Sequence, residues 1–208
     1  MESKFITATP ANSINVSEQQ NPAIISNDPF AHTGIVEGNP LEYEVKEVES
    51  GIVEITRFLG FDKKDMIIPN MISGNKVIGI GGRMAFHNCQ KVESLTISDG
   101  IEYIGKEAFS DCEKLKRIKM NTHLKNVCFL AFAGTQVDRI CFPSSLIYLE
   151  KASLDVYGGH GEKGVIVAYL YPGTKAIASA RLWNIPLENA ENWPGYNSVS
   201  YTHLRAHE

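Results

Sequence analysis

Apolar positions recur along the middle of this chain at a fixed spacing. Residues 81–103, 104–126 and 127–148 align slot for slot, at an offset of 23 residues that loses one residue in the third unit. Ala85-Phe86 recurs as Ala108-Phe109 and Ala131-Phe132. Cys89 recurs as Cys112, and the slot then becomes Thr135. Val92, Leu95 and Ile97 recur as Leu115, Ile118 and Met120, and again as Val137, Ile140 and Phe142. Ile101 and Ile104 recur as Leu124 and Val127, then as Leu146 and Leu149. A fourth unit from Leu149 is eroded, with Ser153-Leu154 where Ala-Phe stands elsewhere. Upstream, residues 66–69 and 77–80 supply a preceding unit with an insertion around Gly74-Asn75. A period of roughly 20–29 residues means a solenoid, because no unit can bury its apolar side alone and each must stack on its neighbours.

The pattern inside one unit predicts its elements. Leu95-x-Ile97 reads as a short strand with alternate residues inward. Ser98-Asp99-Gly100 and Pro143-Ser144-Ser145 read as the turns that follow. Ala-Phe marks the return side: small Ala lets coils approach, and Phe fills the coil. Phe86, Phe109 and Phe132 are then expected to stack as an aromatic spine. Before the repeats, residues 41–48 and 51–59 alternate apolar and polar around Ser50-Gly51, which predicts a β-hairpin. Residues 1–40 are rich in Asn, Ser, Thr and Pro and read as a linker or disordered segment, with one short strand near 23–26. After the repeats, residues 165–171 read as a strand, turned by Pro172-Gly173-Thr174. Thr174 is the expected N-cap of a helix over 175–183, with Asn184 in the left-handed C′ position and Pro186 as the stop.

The run Ile104-Gly105-Lys106-Glu107-Ala108-Phe109-Ser110-Asp111-Cys112, followed by Leu115 and Ile118, fits the pattern I-G-x-x-A-F-x-x-C-x-x-L-x-x-I. That pattern resembles the BspA-like leucine-rich repeats of bacteria, also seen in some protists. The resemblance covers residues 41–189. It departs at an extra residue between Ile80 and Ala85, at Cys128 in place of the usual Gly, and in the eroded fourth unit. Y-P-G-T-K-A…N-I-P looks like the terminal unit common in that family. The expected fold is a leucine-rich-repeat solenoid of the α/β horseshoe class, β-rich, with repeats of about 23 residues, short parallel strands and a C-terminal capping helix. Residues 190–208 are a tail. Its last ten residues, VSYTHLRAHE at 199–208, resemble a string at the ends of many unrelated translated metagenomic fragments and read as adapter-derived.

Composition narrows the function. Of 208 residues, 43% are hydrophobic and 21% charged, as in a folded chain. The net charge of −4, from 20 basic and 24 acidic residues, argues against a general nucleic-acid binder, which needs a basic excess. Nowhere is there an apolar run long enough to span a membrane. No basic start with an apolar core opens the chain, so no secretory signal is visible. The four cysteines, Cys89, Cys112, Cys128 and Cys141, form no C-x-x-C pair of the kind zinc prefers. Cys89 and Cys112 read as small buried hydrophobes at equivalent slots, with a disulfide or metal site as the competing reading. Cys141, between Ile140 and Phe142, is expected to point outward. His87 falls in a tolerant surface slot. The glycine-rich stretch around His160 lacks the G-K-[ST] ending of a phosphate loop and reads as a hairpin-like insertion. No nucleophile elbow, H-E-x-x-H or kinase signature is present. No catalytic residue, metal or cofactor is therefore expected.

The outward strand face remains as the candidate site. Alternation turns Ser94 and Thr96 outward in one unit, Arg117 and Lys119 in the next, and Arg139 with Cys141 in the third. Arg117, Lys119 and Arg139 would form a basic patch on an acidic protein, either a solvated face that keeps the strands soluble or a docking site for an acidic protein segment or anionic glycan. The family resemblance implies a non-enzymatic binding or adhesion module, secreted or on the cell surface, engaging host or other cell-surface proteins. The alternatives are a spacer module of a larger truncated protein and an intracellular interaction scaffold.

Overall fold

The computed structural model describes residues 30–31, 33–157 and 163–194. The strand expected at 23–26, the loop around His160 and the adapter-like end lie outside them.

Successive units form coils held by two parallel ladders. One ladder joins the strands Asp65–Ile68, Ser94–Ile97 and Arg117–Lys119. Its register sets Met66, Leu95 and Ile118 side by side, all buried. The other joins Asn75–Ile80, Tyr103–Ile104, Asn126–Val127 and Tyr148–Leu149, and it stacks Ile80, Ile104, Val127 and Leu149, each fully buried. Between the ladders runs the return side. Phe86 and Phe109 stack at 5.1 Å between ring centroids, and Phe109 and Phe132 at 5.8 Å. Phe58 extends the spine upstream, 5.3 Å from Phe86. Regular secondary structure is mostly sheet with little helix.

The return side needs a backbone conformation that its residue types do not announce. Met84, Glu107, Leu130 and Ala152 all have positive φ, between 52° and 59°. L-residues there cost about 1–2 kcal/mol each. In compensation, Met84 N–H donates to the Lys106 carbonyl, Glu107 N–H to Phe129 and Leu130 N–H to Ala152, so each coil is tied to the next. The twisted residue aims its donor along the stack.

The predicted hairpin forms, with strands Tyr43–Glu49 and Ile52–Phe58 around Gly51 at φ 74°. Its inner strand joins Asn75–Ile80 in parallel. Its outer strand leaves Glu44, Lys46, Glu47 and Glu49 exposed, charges that discourage further strand pairing. The extra residue after Ile80 has its use here. Gly81 and Gly82 N–H both donate to the Ile55 carbonyl, and a Cβ on Gly82 would overlap the Thr56 carbonyl.

Residues 30–38 differ from the linker expected over 1–40. Phe30 and Ala31 are buried. Phe30 pairs with Met120 as an isolated parallel bridge, and its ring lies 6.2 Å from Tyr171. Thr33 N–H donates to Asp99 Oδ2, and Asp99 N–H returns a bond to Thr33 Oγ1. Asn70 Oδ1 accepts from Val36 N–H, and Asn70 Nδ2 donates to the Gly34 and Asp99 carbonyls. The strand Glu37–Gly38 then pairs with Met71–Ile72. This segment is a strap across the turns of successive coils.

At the other end, the helix Ala176–Leu182 packs against Tyr148–Leu149, and Leu149 N–H donates to Ser179 Oγ at 3.0 Å. Asn184 takes its expected left-handed conformation at φ 53°. Thr174 does not cap the helix: its hydroxyl donates to the Tyr171 carbonyl, and Lys175 at the N-cap makes no side-chain cap. The turn ahead of the helix claims the hydroxyl first.

Candidate functional site

The ladder Asp65–Ile68, Ser94–Ile97 and Arg117–Lys119 presents one face to the core and one to solvent. Ser-Leu-Thr-Ile and Arg-Ile-Lys alternate with period two, so burial of Leu95, Ile97 and Ile118 forces the other residues outward. Register makes two outward columns. Asp65, Ser94 and Arg117 share one, and Ile67, Thr96 and Lys119 share the other. Arg117 is exposed, while Ser94, Thr96 and Lys119 are half-buried. Ser94 Oγ donates to Asp65 Oδ1 at 2.7 Å, which fixes the acidic end of the first column. Among the described residues, neither Arg117 nor Lys119 forms an ion pair.

Arg139 lies on a different sheet. Its strand, Arg139–Cys141, pairs with Val167–Leu170, which pairs with Leu187–Asn189. The guanidinium holds Asp138 Oδ2 through Nε at 3.1 Å and Nη2 at 2.9 Å, and this contact raises its pKa further. Both side chains are exposed, so the pair adds a dipole to the face more than a free cation. Arg117 and Lys119 carry the unpaired positive charge.

Cys141 is a correction. Alternation placed it outward, yet it is only 2% exposed and belongs to the core cluster. It stands opposite Tyr169 in the register, and Tyr169 meets Trp193 edge-on at 5.0 Å. Tyr169 thus stands beside the small thiol on this part of the sheet. Tyr169 and Trp193, both half-buried against the core, are the residues of this face that the repeat spacing does not give. The alternation in Val167–Leu170 signals an outward Tyr169; Trp193 falls in a stretch read as tail.

The assembled face runs from Asp65 through two hydroxyls to Arg117 and Lys119, and then to Arg139–Asp138 and an aromatic pair. Chemically it can hold an anionic group against fixed cations and an apolar body against Tyr169. His87, elsewhere on the return side, lies 3.0 Å from Ser110 Oγ and 3.5 Å from Asp111 Oδ2, contacts that tie two coils. Among the described residues, no group of three or more His, Cys, Asp or Glu side chains could hold a metal ion. No helix among them is long and apolar enough to cross a membrane.

Residues 68–157 match six copies of the BspA type leucine rich repeat region. No curated protein sequence matches the chain. Among solved structures, it is similar to a leucine-rich repeat protein of T. pallidum, at 25% identity and a TM-score of 0.51, over 56% of this chain and 54% of that one. A leucine-rich repeat protein from Bacteroides capillosus is similar at 24% identity and a TM-score of 0.46, over 56% of this chain and 93% of that one. The chain spans about half the length of the T. pallidum protein.

Proposed function

From a chain whose residues 68–157 belong to the BspA-type leucine-rich repeats, we propose a non-enzymatic binding module that docks an acidic protein segment on its outward strand face. Its architecture is a short solenoid, closed at one end by the hairpin and at the other by the helix Ala176–Leu182. Ser94, Thr96, Arg117, Lys119 and Arg139 are the contact residues, with Tyr169 beside them. The carrying observation is the register that holds Arg117 and Lys119 outward on a rigid ladder with no acid taking up their charge. Pre-fixed side chains lower the ordering cost of association. A secreted or cell-surface setting, facing host or other cell-surface proteins, follows from the family resemblance.

The test is a set of acidic peptides titrated against the whole chain and against an Arg117→Ala, Lys119→Ala, Arg139→Ala triple variant. Binding should weaken at least tenfold in the variant, and its salt dependence should flatten. Unchanged affinity and salt slope would remove these residues from the site. Tight binding of a sulfated glycan in place of the peptides would reassign the partner to an anionic glycan. The second reading, a spacer module of a longer protein, is supported by the half-length coverage of the T. pallidum relative. A chain that binds none of these probes would favour it.

A further inference from the structure

The repeat puts Cys89 and Cys112 in the same slot of consecutive coils, and the backbone on both sides is held. Phe86 N–H donates to the Ala108 carbonyl at 2.8 Å, Asn88 N–H to Ser110 at 3.0 Å, and Gln90 Nε2 to the Asp111 carbonyl at 2.8 Å. Neither cysteine is in a strand, but backbone hydrogen bonds of this kind hold neighbouring coils at about the 4.8 Å spacing of adjacent strands, inside the roughly 4.4–6.8 Å that a disulfide spans between Cα atoms. Cys112 Sγ reaches back to the coil that carries Cys89, where it lies 3.2 Å from the Phe86 carbonyl oxygen. No third thiol extends this column. Thr135 fills the slot in the next coil, its hydroxyl spent on the Phe132 carbonyl at 2.8 Å.

We propose that Cys89 and Cys112 are a redox pair that closes to a disulfide between two coils, by exchange with a small disulfide of the glutathione class. Cys89 is the entry point, being 7% exposed where Cys112 is 1% exposed. Its thiolate attacks one sulfur of the external disulfide. A mixed disulfide forms on Cys89, and the first glutathione leaves as thiolate. Cys112 then attacks the Cys89 sulfur, the new bond forms, and the second glutathione leaves. The two cysteines are oxidised by two electrons, the external disulfide is reduced to two thiols, and the two protons pass to the released thiolates. Attack begins at Cys89, the more exposed of the two thiols; Cys112 beside it lowers its pKa, while Cys89 and burial raise that of Cys112. The product fastens one full coil to the next at the return side.

The test is to incubate the whole chain with glutathione disulfide, alkylate it in denaturant and map the cysteines by mass spectrometry. A Cys89–Cys112 cross-linked peptide, reversed by dithiothreitol, is expected. The melting temperature should rise by about 5–10 °C over the reduced chain. In Cys112→Thr, which installs the residue the third coil already carries, glutathione should remain on Cys89, because the resolving thiol is gone. Full alkylation of both cysteines after oxidation would overturn the proposal. So would glutathione retained on Cys89 in the unsubstituted chain, or a dominant pairing with Cys128 or Cys141.

Discussion

Phe109 offers the sharpest measure of how the stack holds. It is 2% exposed, with Phe86 on one side at 5.1 Å and 23° between ring planes, and Phe132 on the other at 5.8 Å and 5°. Phe109→Ala empties the middle of a coil whose walls are hydrogen-bonded to both neighbours and cannot collapse freely. Such truncations cost about 3–5 kcal/mol, a large share of the 5–15 kcal/mol typical of a domain. Phe109→Leu separates volume from stacking. Leu154, at the equivalent slot of the eroded unit, is fully buried, so an aliphatic group suits that position. The leucine variant should lose mainly two ring contacts, at about 0.5–1.5 kcal/mol each. The assay is urea unfolding followed by circular dichroism and by fluorescence of Trp183 and Trp193, which both lie in the last coils. The midpoint should fall with an unchanged slope. A cost below about 1.5 kcal/mol for the alanine variant, or equal costs for the two variants, would refute the claim that a filled and stacked spine supports the coils.

Four further outcomes are expected. Gly82→Ala pushes a methyl into the Thr56 carbonyl and should destabilise by about 1–3 kcal/mol; an unchanged melting temperature would show the hairpin is not seated on Gly81-Gly82. Asp99→Ala removes the acceptor of Thr33 N–H, so hydrogen exchange over residues 31–36 should quicken while the ladder amides stay protected; uniform exchange would mean the strap and the coils open together. Tyr43 is pushed up to about 12, by burial first and by Glu42 and Cys89 after it. Its folded pKa lies above the ordinary value near 10, so its contribution is whole below pH 10 and fades as pH rises through about 12. Phenolate absorbance should show it ionising after the exposed tyrosines and together with alkaline unfolding, and early titration would contradict its burial. Tyr103, raised by burial and its bond to Glu54, should behave alike.

How much of this was legible in the chain depends on how local the cause is. The coil period, the Phe86–Phe109–Phe132 spine, the hairpin and the outward placement of Arg117 and Lys119 follow from apolar spacing alone. A unit that cannot bury its own apolar side must stack in register, and register carries equivalent residues into columns. Other features depend on contacts between distant segments. Residues 30–38 look like a linker because their apolar residues, Phe30, Ala31, Ile35 and Val36, follow no repeat spacing among turn formers; their partners are Asn70, Asp99 and Met120 of later segments, which meet only once three coils are stacked. Met84, Glu107, Leu130 and Ala152 adopt positive φ without a glycine to announce it, because bonds to the next coil offset the local strain. Cys141 is turned outward by alternation yet is buried in the fold, where the later strand Val167–Leu170 sets Tyr169 beside it. The sequence by itself determined the repeat, its core and the faces of its strands, since those are set by periodicity within a unit. Only the tertiary structure decided the strap, the strained returns and the aromatic end of the face. Each of these depends on which coil lies beside which, a relation that spacing along the chain does not contain.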